Sequence, residues 1–170
     1  MKTKLSLFIL ALLLFACKKD ELCTNESYCA EIDGKKWSPV DDGDPQTGGS
    51  LIVHLMHGNN LWIRATNQLD SSIVFFGIVD SVNLIREGSY VLNGKGGDLP
   101  DGLRNGGFYL SASGEEFMTD STYTGLVTVT NIDKVKGRIS GNFYFKARNP
   151  ITGKIADISN GSFNTFYWKY

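Results

Sequence analysis

The feature that most constrains this chain is a two-residue alternation of apolar and polar side chains, interrupted by glycine-rich breaks. Over residues 139–147, Ile139, Phe143, Phe145 and Ala147 share one face, and Ser140, Asn142, Tyr144 and Lys146 share the other. That is the pattern of a half-buried antiparallel strand. Near residue 125, Tyr123, Val127 and Val129 oppose Thr122, Thr124, Thr128 and Thr130, and threonine-rich outer faces suit strands that meet solvent. Residues 51–57 and 60–67 flank Gly58-Asn59 and read as a hairpin. Residues 72–79 (SIVFFGIV) are apolar on both faces, as in a strand covered on both sides. Further strands are expected at 89–92, 108–113, 121–131, 137–148, 154–159 and 161–170. Six glycines and one proline gather in 93–107, which reads as a long loop. No segment past the N-terminal region has a convincing 3.6-residue period. The fold class is therefore all-β, an antiparallel meander of about nine strands. Barrel and sandwich both satisfy the pattern, and closure is the better way to hide edge strands.

The N-terminal region is different. Lys2 and Lys4 precede an apolar run, Leu5 to Leu14, followed by Leu14-Phe15-Ala16-Cys17 and the polar Lys18-Lys19-Asp20-Glu21. A short apolar segment behind positive charge is a secretory signal; it is shorter than the roughly 20 residues a membrane span needs. With a small residue before the cysteine, it resembles a bacterial lipoprotein signal, the lipobox. That resemblance implies cleavage before Cys17 and lipidation of Cys17. It makes the membrane, reached through the lipid, the one partner expected. Two or more acyl chains anchor a protein stably. The expected organisation is a signal peptide over 1–16, a lipidated tether over 17–27 and a single all-β domain over 28–170. Lys19, Asp20 and Glu21 directly follow the cysteine, and the run Cys17 to Glu21 is similar to the export signal of Bacteroidota surface lipoproteins. This implies an outer-membrane protein on the cell surface, with a periplasm-facing location as the alternative.

Without residues 1–16 the chain has 154 residues, with 15 Lys and Arg against 18 Asp and Glu, a net charge of −3. That length is one domain, large enough for its own core. The balance gives no basic footprint, so nucleic acid is not an expected partner. With Cys17 assigned to lipid, Cys23 and Cys29 remain. In an oxidising compartment they form either a local disulfide, the preferred reading, or two free thiols. Without a histidine nearby they make half a zinc ligand set.

Two segments carry a wider resemblance. One is Ala30-Glu31-Ile32-Asp33-Gly34-Lys35-Lys36-Trp37. The other runs Gly137-Arg138-Ile139-Ser140-Gly141-Asn142-Phe143-Tyr144-Phe145, then Asn149-Pro150-Ile151-Thr152-Gly153-Lys154, then Ile158-Ser159-Asn160-Gly161-Ser162-Phe163. Together they resemble a family of uncharacterised Bacteroidota lipoproteins, in which a short strand ending in tryptophan opens an all-β domain and a glycine- and phenylalanine-rich hairpin closes it. The resemblance implies the fold and no catalytic residues. Locally, Asp33-Gly34 is a hairpin turn signal, Trp37 starts the core, Asn149 to Gly153 form a turn, and Asn160-Gly161 marks a tight turn or a bulge.

The remaining candidates carry little chemistry. His54 and His57, three apart on a strand, point to opposite faces and cannot share a metal. Asp41, Asp42 and Asp44 lack the spacing of a calcium loop and read as a solvated acidic loop. There is no nucleophile elbow, no His-Glu-x-x-His and no phosphate loop at Gly94-Lys95-Gly96-Gly97. Nothing singles out Glu115-Glu116, or Asp98 with Asp101, as a hydrolytic pair. No enzyme, metal or cofactor is expected. Asp80-Ser81-Val82 and Asp120-Ser121-Thr122 are each similar to the motif at which Bacteroidota O-glycosylate exported proteins, which implies Ser81 and Ser121 as acceptors. Phe163, Phe166, Tyr167, Trp168 and Tyr170 form the densest aromatic stretch and read chiefly as a last core strand. The preferred function is a non-enzymatic, membrane-anchored binding or accessory module. The alternatives are a lipocalin-like carrier of a small apolar ligand and a glycan-binding accessory lipoprotein of a nutrient-uptake system. The small molecule, glycan or protein it would bind is left open.

Overall fold

The computed structural model describes residues 26–43, 49–95 and 105–169. Within them the fold is all-β, as expected, and contains no helix. The strands are β1 (Tyr28–Ile32), β2 (Lys35–Trp37), β3 (Leu51–Met56), β4 (Asn60–Asn67), β5 (Ser72–Val79), β6 (Gly88–Leu92), β7 (Gly94–Lys95), β8 (Gly106–Leu110), β9 (Glu116–Met118), β10 (Gly125–Asp133), β11 (Arg138–Arg148), β12 (Ile155–Phe166) and β13 (Trp168–Lys169). All belong to one sheet, ordered β13-β3-β4-β5-β8-β9-β11-β12-β1-β2. β10 lies on the free edge of β11 and carries β6 on its far side, and β7 adds to β8. Every pairing between named strands is antiparallel except β7–β8 and β13–β3.

The sheet curls into a half-barrel. Its far ends are tied by the chain itself, because β12 runs through buried Tyr167 straight into β13, which pairs with β3 through Trp168 with His54 and Lys169 with Leu55. Bulges at Val129–Asn131, Phe143–Phe145 and Cys29–Glu31 increase the bend.

Several expected elements differ in detail. The two strands expected at 154–159 and 161–170 are one long β12, and Asn160-Gly161 is a bulge inside it, with Asn160 left-handed at φ 49°. A bulge bends a strand without ending its pairing, so both halves stay on β11. The strand expected from 121 begins at Gly125, because Asp120 accepts hydrogen bonds from the N–H groups of Thr122 and Tyr123 and holds that stretch as a turn. β7 and the start of β8 occupy part of the loop expected at 93–107; residues 96–104 lie outside the described residues. In the β3–β4 hairpin the left-handed residues are His57 and Gly58 rather than Gly58-Asn59.

The Asp33-Gly34 turn is as expected. Both residues have positive φ, 50° and 75°, the twist that fits a two-residue hairpin. Trp37 then enters the core, and its indole N–H donates to Ser72 Oγ at 2.8 Å in a buried contact. β5 is covered on both faces as its composition predicts, with Phe76 inside and Phe75 outside both buried.

The core is one cluster with mutually tilted rings at its centre. Phe143 lies 5.0 Å from Phe76 and 5.1 Å from Tyr28, and Phe76 lies 5.7 Å from Phe163. The register explains the repeated Gly-x-Phe of the closing segments. Gly141 faces Phe163 across β11–β12, and Phe143 faces Gly161. Each ring covers the glycine opposite it, so a Cβ at Gly141 would fall 2.5 Å from the Phe163 ring and one at Gly161 2.5 Å from the Phe143 ring. Gly125 faces Phe145 in the same way across β10–β11. Such pairs fill the space that glycine leaves in a bent sheet.

Candidate functional site

The outward faces of β3, β4, β12 and β13 carry side chains that the core does not need. Because residues two apart on a strand share a face, Leu61 and Ile63 enter the core while Trp62 points away from it. Val53 and Leu55 likewise leave His54 outside. His54 and Trp62 are register partners, and their rings stack with centroids 4.2 Å apart at an interplanar angle of 8°. Partial burial pulls the His54 pKa below its ordinary value. Trp62 faces Gly77 on its other side, and Gly77 faces Gly106. The Phe75 ring, 6.2 Å from that of Trp62, lies over Gly77 and flanks Trp62 on this side.

On the opposite side His54 pairs with Trp168, which is 68% exposed. Two residues back on the same face, Phe166 is 66% exposed. Arg138, its register partner on β11, holds its guanidinium 5.1 Å from the Phe166 ring centroid and donates from Nη2 to Asn164 Oδ1 at 3.0 Å. Arg138 also lines a polar groove of about 280 Å³ with Asn131, Asp133, Lys136, Ser140 and Asn164. Asp133 sits on the β10–β11 turn and its Oδ1 accepts from the N–H groups of Val135 and Lys136. The Lys136 N–H is the main cause of its lowered pKa, and the charges of Lys136 and Arg138 act in the same direction.

The result is a continuous outward strip, Trp62, His54, Trp168, Phe166 and Arg138, that ends in an amide- and hydroxyl-lined groove. It crosses the seam where the chain end docks on β3. Flat exposed rings accept the C–H face of a sugar against their negative π surface, and planar amides and guanidinium groups bond to hydroxyls and acidic groups.

The other sequence candidates are not part of this strip or lie outside the described residues. Ser81 and Ser121 are both exposed and sit in matching turns. Asp80 Oδ1 accepts from Val82 and Asn83, and Asp120 Oδ1 from Thr122 and Tyr123. Those N–H groups lower both aspartate pKa values. Cys29 is fully buried and disulfide-bonded, with Sγ 3.8 Å from Ser162 Oγ. Its partner, like Cys17, Lys19, Asp20, Glu21 and Cys23, lies outside the described residues. So do Asp44, Asp98, Asp101 and Tyr170. Asp41 accepts from the Gly43 N–H and is exposed. His57 is a turn residue. Glu115 pairs with Lys154 Nζ at 2.8 Å. Among the described residues no three of His, Cys, Asp and Glu gather as metal ligands.

Reading the aromatic tail alone missed His54 and the groove. The alternation in NLWIRATN, which places Trp62 opposite Leu61 and Ile63, and the outward set Arg138, Ser140 and Asn142 were the signals available.

A family model described as a domain of unknown function (DUF6252) matches residues 50–166, which spans β3 to β12 and leaves Trp168 just beyond. No curated protein and no solved structure matches the chain. The chain belongs to the DUF6252 family.

Proposed function

We propose that this family member is a non-enzymatic binding module, anchored in the outer membrane through lipid on Cys17 and displayed at the cell surface, whose ligand is a glycan. The observation that carries the ligand class is the outward strip of half-buried Trp62 and His54 with exposed Trp168 and Phe166 beside a polar groove. Phe76, Phe143, Phe145 and Phe163 take up the interior between the described strands, which favours the outer face over a carried apolar ligand.

Anchoring rests on the sequence before residue 26: the apolar run, Ala16 before Cys17, and Lys19, Asp20 and Glu21 after it. With Cys17 acylated, Cys23 is the partner we assign to the Cys29 disulfide, a short clasp between tether and domain. Glycans on Ser81 and Ser121, both exposed beside structured turns, would add a hydrophilic coat.

The test is affinity electrophoresis of the full chain through gels containing soluble polysaccharides. Retardation by at least one polysaccharide, lost in Trp62→Ala and Trp168→Ala, is the expected result. No retardation by any of them removes the glycan reading. Anchoring is tested separately: Cys17→Ala moves the protein from the membrane to the soluble fraction, and unchanged fractionation overturns it.

A further inference from the structure

We infer that the groove beside Phe166 is a subsite for an acidic sugar, one bearing a carboxylate, held by Arg138 and Lys136. The inference rests on the glycan reading above and specifies its ligand.

The argument begins with charge. On the outward faces of β11 and the following turn, Lys146 pairs with Asp157, Arg148 with Asp120 and Lys154 with Glu115. Arg138, and Lys136 on the turn before β11, differ: both line the groove, and their charges act on Asp133, the register partner of Arg138, without an ion pair within 4 Å among the described residues. The acidic residue of the groove, Asp133, has one oxygen committed to two N–H groups of its own turn. Two cations against one carboxylate leave the groove positive on a chain whose net charge is −1.

Arg138 is also preorganised. Its guanidinium is held between the Phe166 ring and Asn164 Oδ1. Only one of its five N–H donors is used in the Asn164 contact, so a forked pair remains for a planar carboxylate. Stacking on an aromatic face costs the guanidinium no hydrogen bond and restricts its rotamers before the ligand arrives. Asn164, with its carbonyl oxygen engaged by Arg138, keeps its NH₂ donors, and Asn131 and Ser140 add donors and acceptors for ring hydroxyls. Trp168, two residues from Phe166 on the same face, continues the platform for the neighbouring sugar.

The experiment uses the full chain in non-ionic detergent, with polygalacturonic acid and its fully methyl-esterified form as probes. Wild type is expected to bind the acid at least tenfold more tightly than the ester. Arg138→Gln and Lys136→Gln should each lower affinity for the acid far more than for the ester, bringing the two together. Lys35→Gln, an exposed lysine on β2 remote in sequence from the groove, should leave both affinities unchanged. Equal binding of acid and ester, or an equal loss in Lys35→Gln, overturns the acidic subsite and leaves the aromatic strip standing. Binding of neither probe, nor of any neutral polysaccharide, overturns both.

Discussion

At the residue scale, this fold depends on glycine as much as on phenylalanine. Gly141 and Gly161 are needed for close approach, since each lies under the ring of its cross-strand partner. Gly161→Ala should destabilise the domain by about 1–3 kcal/mol, the usual range for forcing extra atoms into a packed core. Urea denaturation followed by tryptophan fluorescence measures it, and an unchanged midpoint would show that the Phe143 ring moves aside freely. The exposed aromatics predict the opposite behaviour. Trp168→Ala should shift stability by no more than about 0.5 kcal/mol, as for other surface substitutions, while removing glycan retardation. A large loss of stability there would make Trp168 a structural residue.

At the element scale, three turns use an aspartate in the same way. Asp80, Asp120 and Asp133 each accept hydrogen bonds from the N–H groups two and three residues ahead, and all three have lowered pKa values, caused first by those N–H groups. A folded-state pKa below the unfolded one means that the native state binds fewer protons. The associated stability is complete above the ordinary aspartate range and is lost as pH falls through the depressed native values. Stability should therefore be flat from pH 7 to about 5 with respect to these groups and fall below about 4. Replacing the three with asparagine keeps an acceptor for the turn and should flatten that acid limb. An acid limb of the same slope in the triple variant would assign it to other carboxylates.

At the scale of the whole molecule, β13 is the seam. It is two residues long, yet it ties the end of β12 to β3 and places Trp168 beside His54. Deleting residues 168–170 should leave the sheet folded but cost about 1–2 kcal/mol, the net worth of one or two backbone hydrogen bonds. Hydrogen exchange should rise at the amides of β3 and remain slow in β11 and β12. Uniformly faster exchange would mean that the seam holds the entire sheet. The deletion should also abolish glycan binding, because the strip loses its most exposed ring.

Much of this was legible in the chain. The alternation over 139–147, the two-faced apolar run of 72–79 and the Asp33-Gly34 turn depend on residues close in sequence, and local sterics decide them. The single curled sheet, the unbroken β12 and the union of Trp62, His54, Trp168 and Arg138 were decided elsewhere. Those residues lie up to about a hundred positions apart, and only the cross-strand hydrogen-bond register fixes which of them become neighbours. Periodicity tells each strand which face is apolar; the register that satisfies every strand at once determines what the outward faces assemble.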